Sequence, residues 1–220
     1  MPLSATATQI LDTAEALFAE RGFAETSLRM ITGKAGVNLA AVNYHFGSKK
    51  GLIQAVFARY LDPFCAEFQL ELDRLEANDQ QDLEQLLEAL ARTTLQVPAN
   101  KGSLSVFMRL LGLAYTQAQA QLRVYLQVHY GATFNRFTQL LKAATPQLPD
   151  AERFWRTHFM LGAVVFTLSS LETLRSLAQA DYDEQTRIRD LVARLLPVVV
   201  AALQAPLPEQ SDPVAQEQGR

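Results

Sequence analysis

TSLRMITGKAGVNLAAVNYHFG, residues 26–47, reads as two short helices packed across a sharp turn. Thr26 stands where a hydroxyl can cap the first helix by accepting an orphan backbone N–H. Leu28, Ile31 and Ala35 give that helix (27–35) a single apolar face. Gly36 follows where a helix ends most easily in a left-handed conformation. Val37 fills the gap between the helices, and Asn38 caps the second (39–45), which turns Val42 and Phe46 inward and stops at Gly47. Two helices joined in this way form a helix-turn-helix, whose second helix enters a DNA major groove. A plain helical hairpin has the same spacing, so the outer face discriminates between them. Leu39, Ala40, Ala41, Asn43, Tyr44 and His45 include no carboxylate, and Lys49 and Lys50 follow directly. Such a surface suits a polyanion.

The formal charge of -3 looks wrong for a DNA binder until it is divided along the chain. Residues 1–60 carry six basic side chains (Arg21, Arg29, Lys34, Lys49, Lys50, Arg59) against four acidic ones (Asp12, Glu15, Glu20, Glu25), a balance of +2 that leaves -5 elsewhere. The asymmetry is mild but has the sign a nucleic-acid-binding head requires. A 49% hydrophobic content is ample for a core without a staple. The single Cys65 excludes an intramolecular disulfide framework and points to a reducing compartment. There is no basic-then-apolar leader and no uncharged apolar run of membrane-spanning length, so a cytoplasmic location without membrane contact is expected.

The remaining pattern is helical, and the expected fold class is all-α. A first helix spans about 8–20 and ends at Gly22, after a frayed terminus at 1–7. Ser48 caps a long fourth helix (49–76), which Pro63 should kink or break near Leu61–Asp62. Further helices are expected over 82–97, 104–115, 119–144, 150–178 and 184–204, the last capped by Asp181 or Asp183 and bent at Pro197. Polar turns separate them at 78–82 and 98–103. The expected organisation is a DNA-binding head over 1–48, a helical body over 49–204 and a disordered tail over 205–220, rich in Pro and polar residues.

Residues 10–52 resemble the DNA-binding head of the TetR-type transcriptional regulators. ILDTAEALFAERGFAETSLRMI, KAGVNLAAV and YHFGSKKGL carry the likeness, in that family's order and spacing. The resemblance implies a TetR-like fold whose divergent remainder is a helical effector-binding and dimerisation domain. It departs from the usual pattern at Asn43, where tyrosine is common, and at Leu39, where a polar residue is common. No Lys or Arg precedes Arg21, so no arm contact with DNA is expected.

The candidate DNA contacts are Thr26, Ser27, Asn38, Leu39, Ala40, Ala41, Asn43, Tyr44, His45, Lys49 and Lys50. Thr26 and Ser27 sit at a helix start suited to a phosphate. Asn43 can pair with an adenine edge, and Leu39, Ala40 or Ala41 can pack on a thymine methyl. Tyr44, His45, Lys49 and Lys50 are within reach of phosphates. Candidate ligand-pocket residues are Phe64, Phe68, Phe107, Leu111, Val128, Phe159 and Phe166, with Arg109, Arg156 or His129 to anchor a head group. Within the family, the run beyond the head is most similar to the fatty-acid-responsive regulators. That implies a long-chain fatty acid or acyl thioester as effector, the alternative being a multidrug-type regulator of aromatic or cationic compounds. Broad apolar surfaces over 150–178 and 184–204, with Gly162 and Ala163 permitting close approach, point to a homodimer. Three histidines and one cysteine give no HxxxH or CxxC spacing, so neither a metal nor a cofactor is expected. There is no nucleophile motif or Gly-rich phosphate loop either. A helical-bundle enzyme and a DNA-silent adaptor are the competing classes, and sequence-selective DNA retention separates the regulator from both.

Overall fold

A computed structural model describes residues 3–77, 82–96, 104–117 and 120–207. The expected loop at 98–103 and nearly all of the expected turn at 78–82 and tail fall outside the described residues. The chain is all-α, with helices α1 (Ala5–Glu25), α2 (Leu28–Ala35), α3 (Leu39–Phe46), α4 (Lys49–Ala77), α5 (Leu83–Gln96), α6 (Leu104–Thr116), α7 (Ala120–Ala144), α8 (Asp150–Ser169), α9 (Leu171–Tyr182) and α10 (Ile188–Gln204).

α1 starts earlier than the composition suggests, because Ser4 accepts the Ala7 amide and Ala7 is buried against the core. Gly22 breaks the helix with φ 84° and ψ 169°, a backbone region essentially reserved for glycine, and one further turn follows. α4 is the beam of the fold, with 29 residues spanning about 44 Å. Of the kink or break expected near Leu61–Asp62, the break does not occur: the helix runs through Pro63 as one element. Leu61, Cys65 and Phe68 are buried on either side of the proline, and their packing outweighs the lost backbone bond. Burial pushes the Cys65 thiol up to about 11, so this side chain behaves as a small hydrophobe.

α4 joins two apolar cores. The first gathers Ile10, Phe18, Phe23, Ile31, Val42 and Phe57 with Phe107, Leu110, Leu122 and Leu168; α1 rests directly on α6, while α2 and α3 pack on α1 and α3 also on α4. The second packs Phe68 and Leu72 against Leu86, Phe137, Leu141, Met160, Val199 and Leu203. Between α4 and α7 runs a polar seam. Tyr130 donates to Asp62 at 2.7 Å, Gln69 donates to Thr133 at 2.8 Å, and Arg136 grips Glu76 and Asp73. α6 and α8 approach closely at Gly112, where a Cβ would lie 3.2 Å from Val165.

The helix expected over 150–178 is two helices, α8 and α9, bent by 72° around Ser170. No single described helix is long and apolar enough to cross a membrane; that bent pair is apolar enough only when joined. Asp183 closes α9 in a left-handed conformation instead of opening the next helix. α10 begins later, at Ile188, with the Arg187 amide donating to Asp190. Like α4, it continues through its proline, Pro197.

Candidate nucleic-acid interface

The helix-turn-helix is built by its caps. Ser27, not Thr26, opens α2 by accepting the Met30 amide at 3.2 Å. Gly36 closes α2 at φ 65°, ψ 31°, and the Val37 amide donates back to the Thr32 carbonyl. Asn38 then opens α3, its Oδ1 accepting the Ala41 amide at 2.9 Å. Thr26 is fully buried, with its hydroxyl donating to the carbonyls of Leu17 and Gly22. The phosphate contact expected of its side chain is therefore corrected: it is a strut under the motif.

α3 has only one buried side chain, Val42. Leu39, Ala40, Asn43 and Tyr44 share the opposite face and are exposed, Tyr44 to 85%. Ala41 and His45 are half-buried at the margins, and the His45 ring meets Tyr44 edge-on at 4.9 Å. Ser27 and Asn38 are exposed at the two helix starts. Ser48 caps α4 through the Gly51 amide, which fixes Lys49 and Lys50 immediately beside α3. Lys49 also donates to the Ala24 carbonyl at 3.4 Å and lies partly folded against α1, while Lys50 is exposed.

Electrostatics sharpens the charge count. Arg59 is turned inward, onto Asp12 and Glu15, and Arg21 lies beside Glu20. Arg29, Lys34, Lys49 and Lys50 make no ion pair with any described carboxylate. Four cations thus lack a carboxylate partner, with Arg29 and Lys34 exposed on α2, Lys50 exposed at the start of α4 and Lys49 half-buried beside it, and Glu25 is the one head carboxylate outside these pairs. Arg29 and Lys34 were legible in the sequence as charges but not as unpaired ones; their exposed place on α2 adds them.

Behind the motif, Glu15 is buried and accepts from the Tyr60 hydroxyl at 2.5 Å and from Arg59 at 3.0 Å. Burial, then the bond to Glu15, holds the Tyr60 phenol far above its ordinary range, so it stays a donor. Tyr60 also stacks on Phe107, with ring centres 4.6 Å apart. This network locks α1 to α4 and so sets the frame on which α2 and α3 sit.

The seven expected pocket residues do not come together. Phe64 and Phe68 are neighbours at 5.3 Å beside Phe134 and Phe137, whereas Phe107 lies in the other core, with Leu111 packed at its margin. Val128, Phe159 and Phe166 face outward, 73%, 65% and 63% exposed. α8 buries Arg153, Arg156, Met160 and Leu168, and that inner face leaves Phe159 and Phe166 outside. A single pocket lined by all seven is therefore corrected. Two clefts among the described residues lie elsewhere. One, about 220 Å³, lies between Phe23, Lys49, Lys50, Gln54 and Leu122; the other is polar, beside Arg175 and Asp190.

Arg156 is also corrected as a ligand anchor. Its guanidinium donates to Glu152 and to the carbonyls of Ala202, Leu203, Ala205 and Pro206, closing the end of α10. Among the described residues Arg109 reaches the Ser169 carbonyl at 3.5 Å, and His129 engages the Tyr125 carbonyl on its own helix. Among the described residues, no group of three or more His, Cys, Asp or Glu side chains is arranged to hold a metal ion.

Residues 10–56 match the family described as bacterial regulatory proteins, tetR family, and residues 88–202 match the tetracyclin repressor-like C-terminal domain. The HTH-type transcriptional repressor KstR2 of Rhodococcus jostii (strain RHA1) is 34% identical over 61 residues, 28% of this chain and 30% of that protein. The probable HTH-type transcriptional regulator YttP of Bacillus subtilis (strain 168) is 30% identical over 80 residues, 36% of this chain and 38% of its own length. The chain thus spans about a third of the length of these curated relatives. Among solved structures, the fatty acid degradation regulator FadR from Bacillus halodurans superposes with a TM-score of 0.60 at 18% identity, covering 93% of this chain and 98% of that one. A TetR-like transcriptional regulator from Rhodococcus sp. RHA1 gives 0.58 at 20% identity, covering 94% and 100%. At these identities the likeness is one of fold.

Proposed function

The chain belongs to the TetR family of bacterial regulatory proteins, and we propose that it is a homodimeric, sequence-specific DNA-binding repressor controlled by an apolar small molecule. The observation that carries the DNA reading is the face of α3. Asn43, Tyr44, Leu39 and Ala40 project from it, no carboxylate interrupts it, and four cations without carboxylate partners lie on α2 and at the start of α4. Phosphate contacts from lysines position a protein on DNA, while groups that meet base edges specify sequence. Lys49→Ala is therefore expected to weaken binding to all duplexes alike and to flatten the salt dependence. Asn43→Ala is expected to relax preference at particular base pairs, by ~1–3 kcal/mol for a bidentate contact. Titrations of both variants against specific and scrambled duplexes test this. An exchange of the two signatures overturns the assignments.

Residues 1–48 form the head in this reading, and residues 49–204 bind effector and build the dimer through α8 and α10. Those two helices pack on each other, and their outer faces leave Phe154, Trp155, Phe159, Phe166 and Val198 exposed. An apolar surface of this kind, beside inner faces already satisfied, supports a second copy as its cover.

The effector class we infer is a long-chain fatty acid or its acyl thioester. It rests on the resemblance of the body to the fatty-acid-responsive regulator PsrA and on the density of Phe, Leu and Val along α4–α8. Each buried methylene contributes ~0.8 kcal/mol, and elongated ligands suit spaces between helices. α4 is the transmitter, since it starts beside α3 and carries Phe64 and Phe68 into the second core. Linkage supplies the test: a tenfold loss of operator affinity on ligand binding requires a tenfold loss in reverse, ~1.4 kcal/mol of coupling. A fluorescent fatty acid is titrated with and without operator DNA. Equal affinities, with both partners binding, remove this ligand class.

A further inference from the structure

The junction between head and body turns on Gly22. At φ 84° and ψ 169° this residue leaves helical geometry, so the backbone groups around it need partners from elsewhere. Its carbonyl accepts from Thr26 at 2.8 Å, inside the head. The next amide, that of Phe23, is buried with its residue and donates to Oε1 of Gln117 at 3.0 Å, from 94 residues away. Gln117 stands at the end of α6, its own amide donating to the Leu113 carbonyl. The fit is close, since a Cβ on Gly22 would lie 2.5 Å from the Gln117 side-chain nitrogen. Among the described residues, this is the one side-chain hydrogen bond between residues 3–47 and the helices after α4. The turn it holds leads straight to Ser27 and α2, and the Phe23 ring packs between Phe18 and Phe57.

We propose that Gln117 is a positioning residue for DNA recognition: it clasps the Gly22–Phe23 turn and sets the seating of α2 and α3 on the body. The same helix carries Phe107 and Leu110 in the first core and Leu111 at its margin. A displacement of α6 by a ligand bound among the body helices therefore reaches the reading head through this clasp, in parallel with α4. The proposal rests on the reading of α2–α3 as a DNA-binding motif, but its first test needs no DNA.

Amide hydrogen exchange is measured on the full chain for wild type, Gln117→Met, which keeps size but removes the oxygen acceptor, and Gln117→Glu, which keeps an acceptor. The expected result is exchange about tenfold faster or more at Phe23 and across 27–36 in the Met variant. The amides of residues 52–61 in α4 keep wild-type protection, and the Glu variant stays close to wild type in both regions. In duplex titrations, Gln117→Met loses preference for a selected sequence while retaining its affinity for random DNA. A contact that matters only for overall stability would lower protection in the head and in α4 together, and that result overturns the positioning role. Unchanged exchange at Phe23 and 27–36, or equal loosening in the Met and Glu variants, overturns the clasp. Should wild type show no sequence-selective DNA binding, the functional reading fails while the exchange result still stands on its own.

Discussion

Phe159→Asp is expected to yield a folded monomer that no longer holds its operator. Phe159 is 65% exposed on α8, so the charge meets water in one copy and no described core depends on the ring. In a dimer joined through α8 and α10 the same carboxylate would be buried against apolar side chains, next to Trp155, whose ring stacks on Phe159 at 6.2 Å. An unpaired buried carboxylate is prohibitive there. A single helix-turn-helix reaches few base pairs, and two linked heads gain roughly 10²–10⁴-fold in avidity. Operator affinity should therefore fall by about that factor, with an unchanged thermal midpoint for the monomer fold. Sedimentation at micromolar concentration and a binding titration check both parts. A dimeric Phe159→Asp protein with intact affinity would place the interface elsewhere.

Glu15→Ala is expected to destabilise the protein severely. Its carboxylate is buried and receives both Arg59 and the Tyr60 hydroxyl, which has no water to turn to. Removing one member of such a group leaves the others desolvated, at a cost of about 3–5 kcal/mol. For a chain of this size that corresponds to a midpoint lower by roughly 6–20 °C. Arg59 keeps Asp12, so the lower end of the range is the expected one. Glu15→Gln retains an acceptor for Tyr60 and should lose only about 1–3 kcal/mol. Denaturant unfolding of the three proteins measures the order; an alanine variant within ~1 kcal/mol of wild type would mean that the network does not fix the head.

The head was legible because its signals are local. Gly36, Asn38, Gly47 and Ser48 each specify a helix end through backbone geometry or a cap within four residues, and the structure uses all four that way. Thr26 was misassigned because two adjacent hydroxyl residues both fit a cap; only the tertiary position of Leu17 and Gly22 makes one of them a strut. The body was less legible. α8 is apolar on two sides, and periodicity cannot say whether Met160 or Phe159 faces inward. The bend at Ser170 carries no glycine or proline to announce it. Arg156 looked like a free charge in sequence, because the carbonyls it closes, at the end of α10 and just beyond it, lie 46 to 50 residues later. Gln117 gave no signal at all, since a glutamine at a helix end is ordinary until its partner across the fold is known.

The central claim, a two-headed reader of DNA sequence, is tested most directly by selecting bound duplexes from a randomised pool with the purified full chain. The account predicts enrichment of a near-palindrome whose half-sites lie about one helical turn apart or a multiple of it, bound by an even number of chains and released steeply as salt rises. Recovery of the pool without enrichment, under salt conditions where the protein binds DNA, would contradict it.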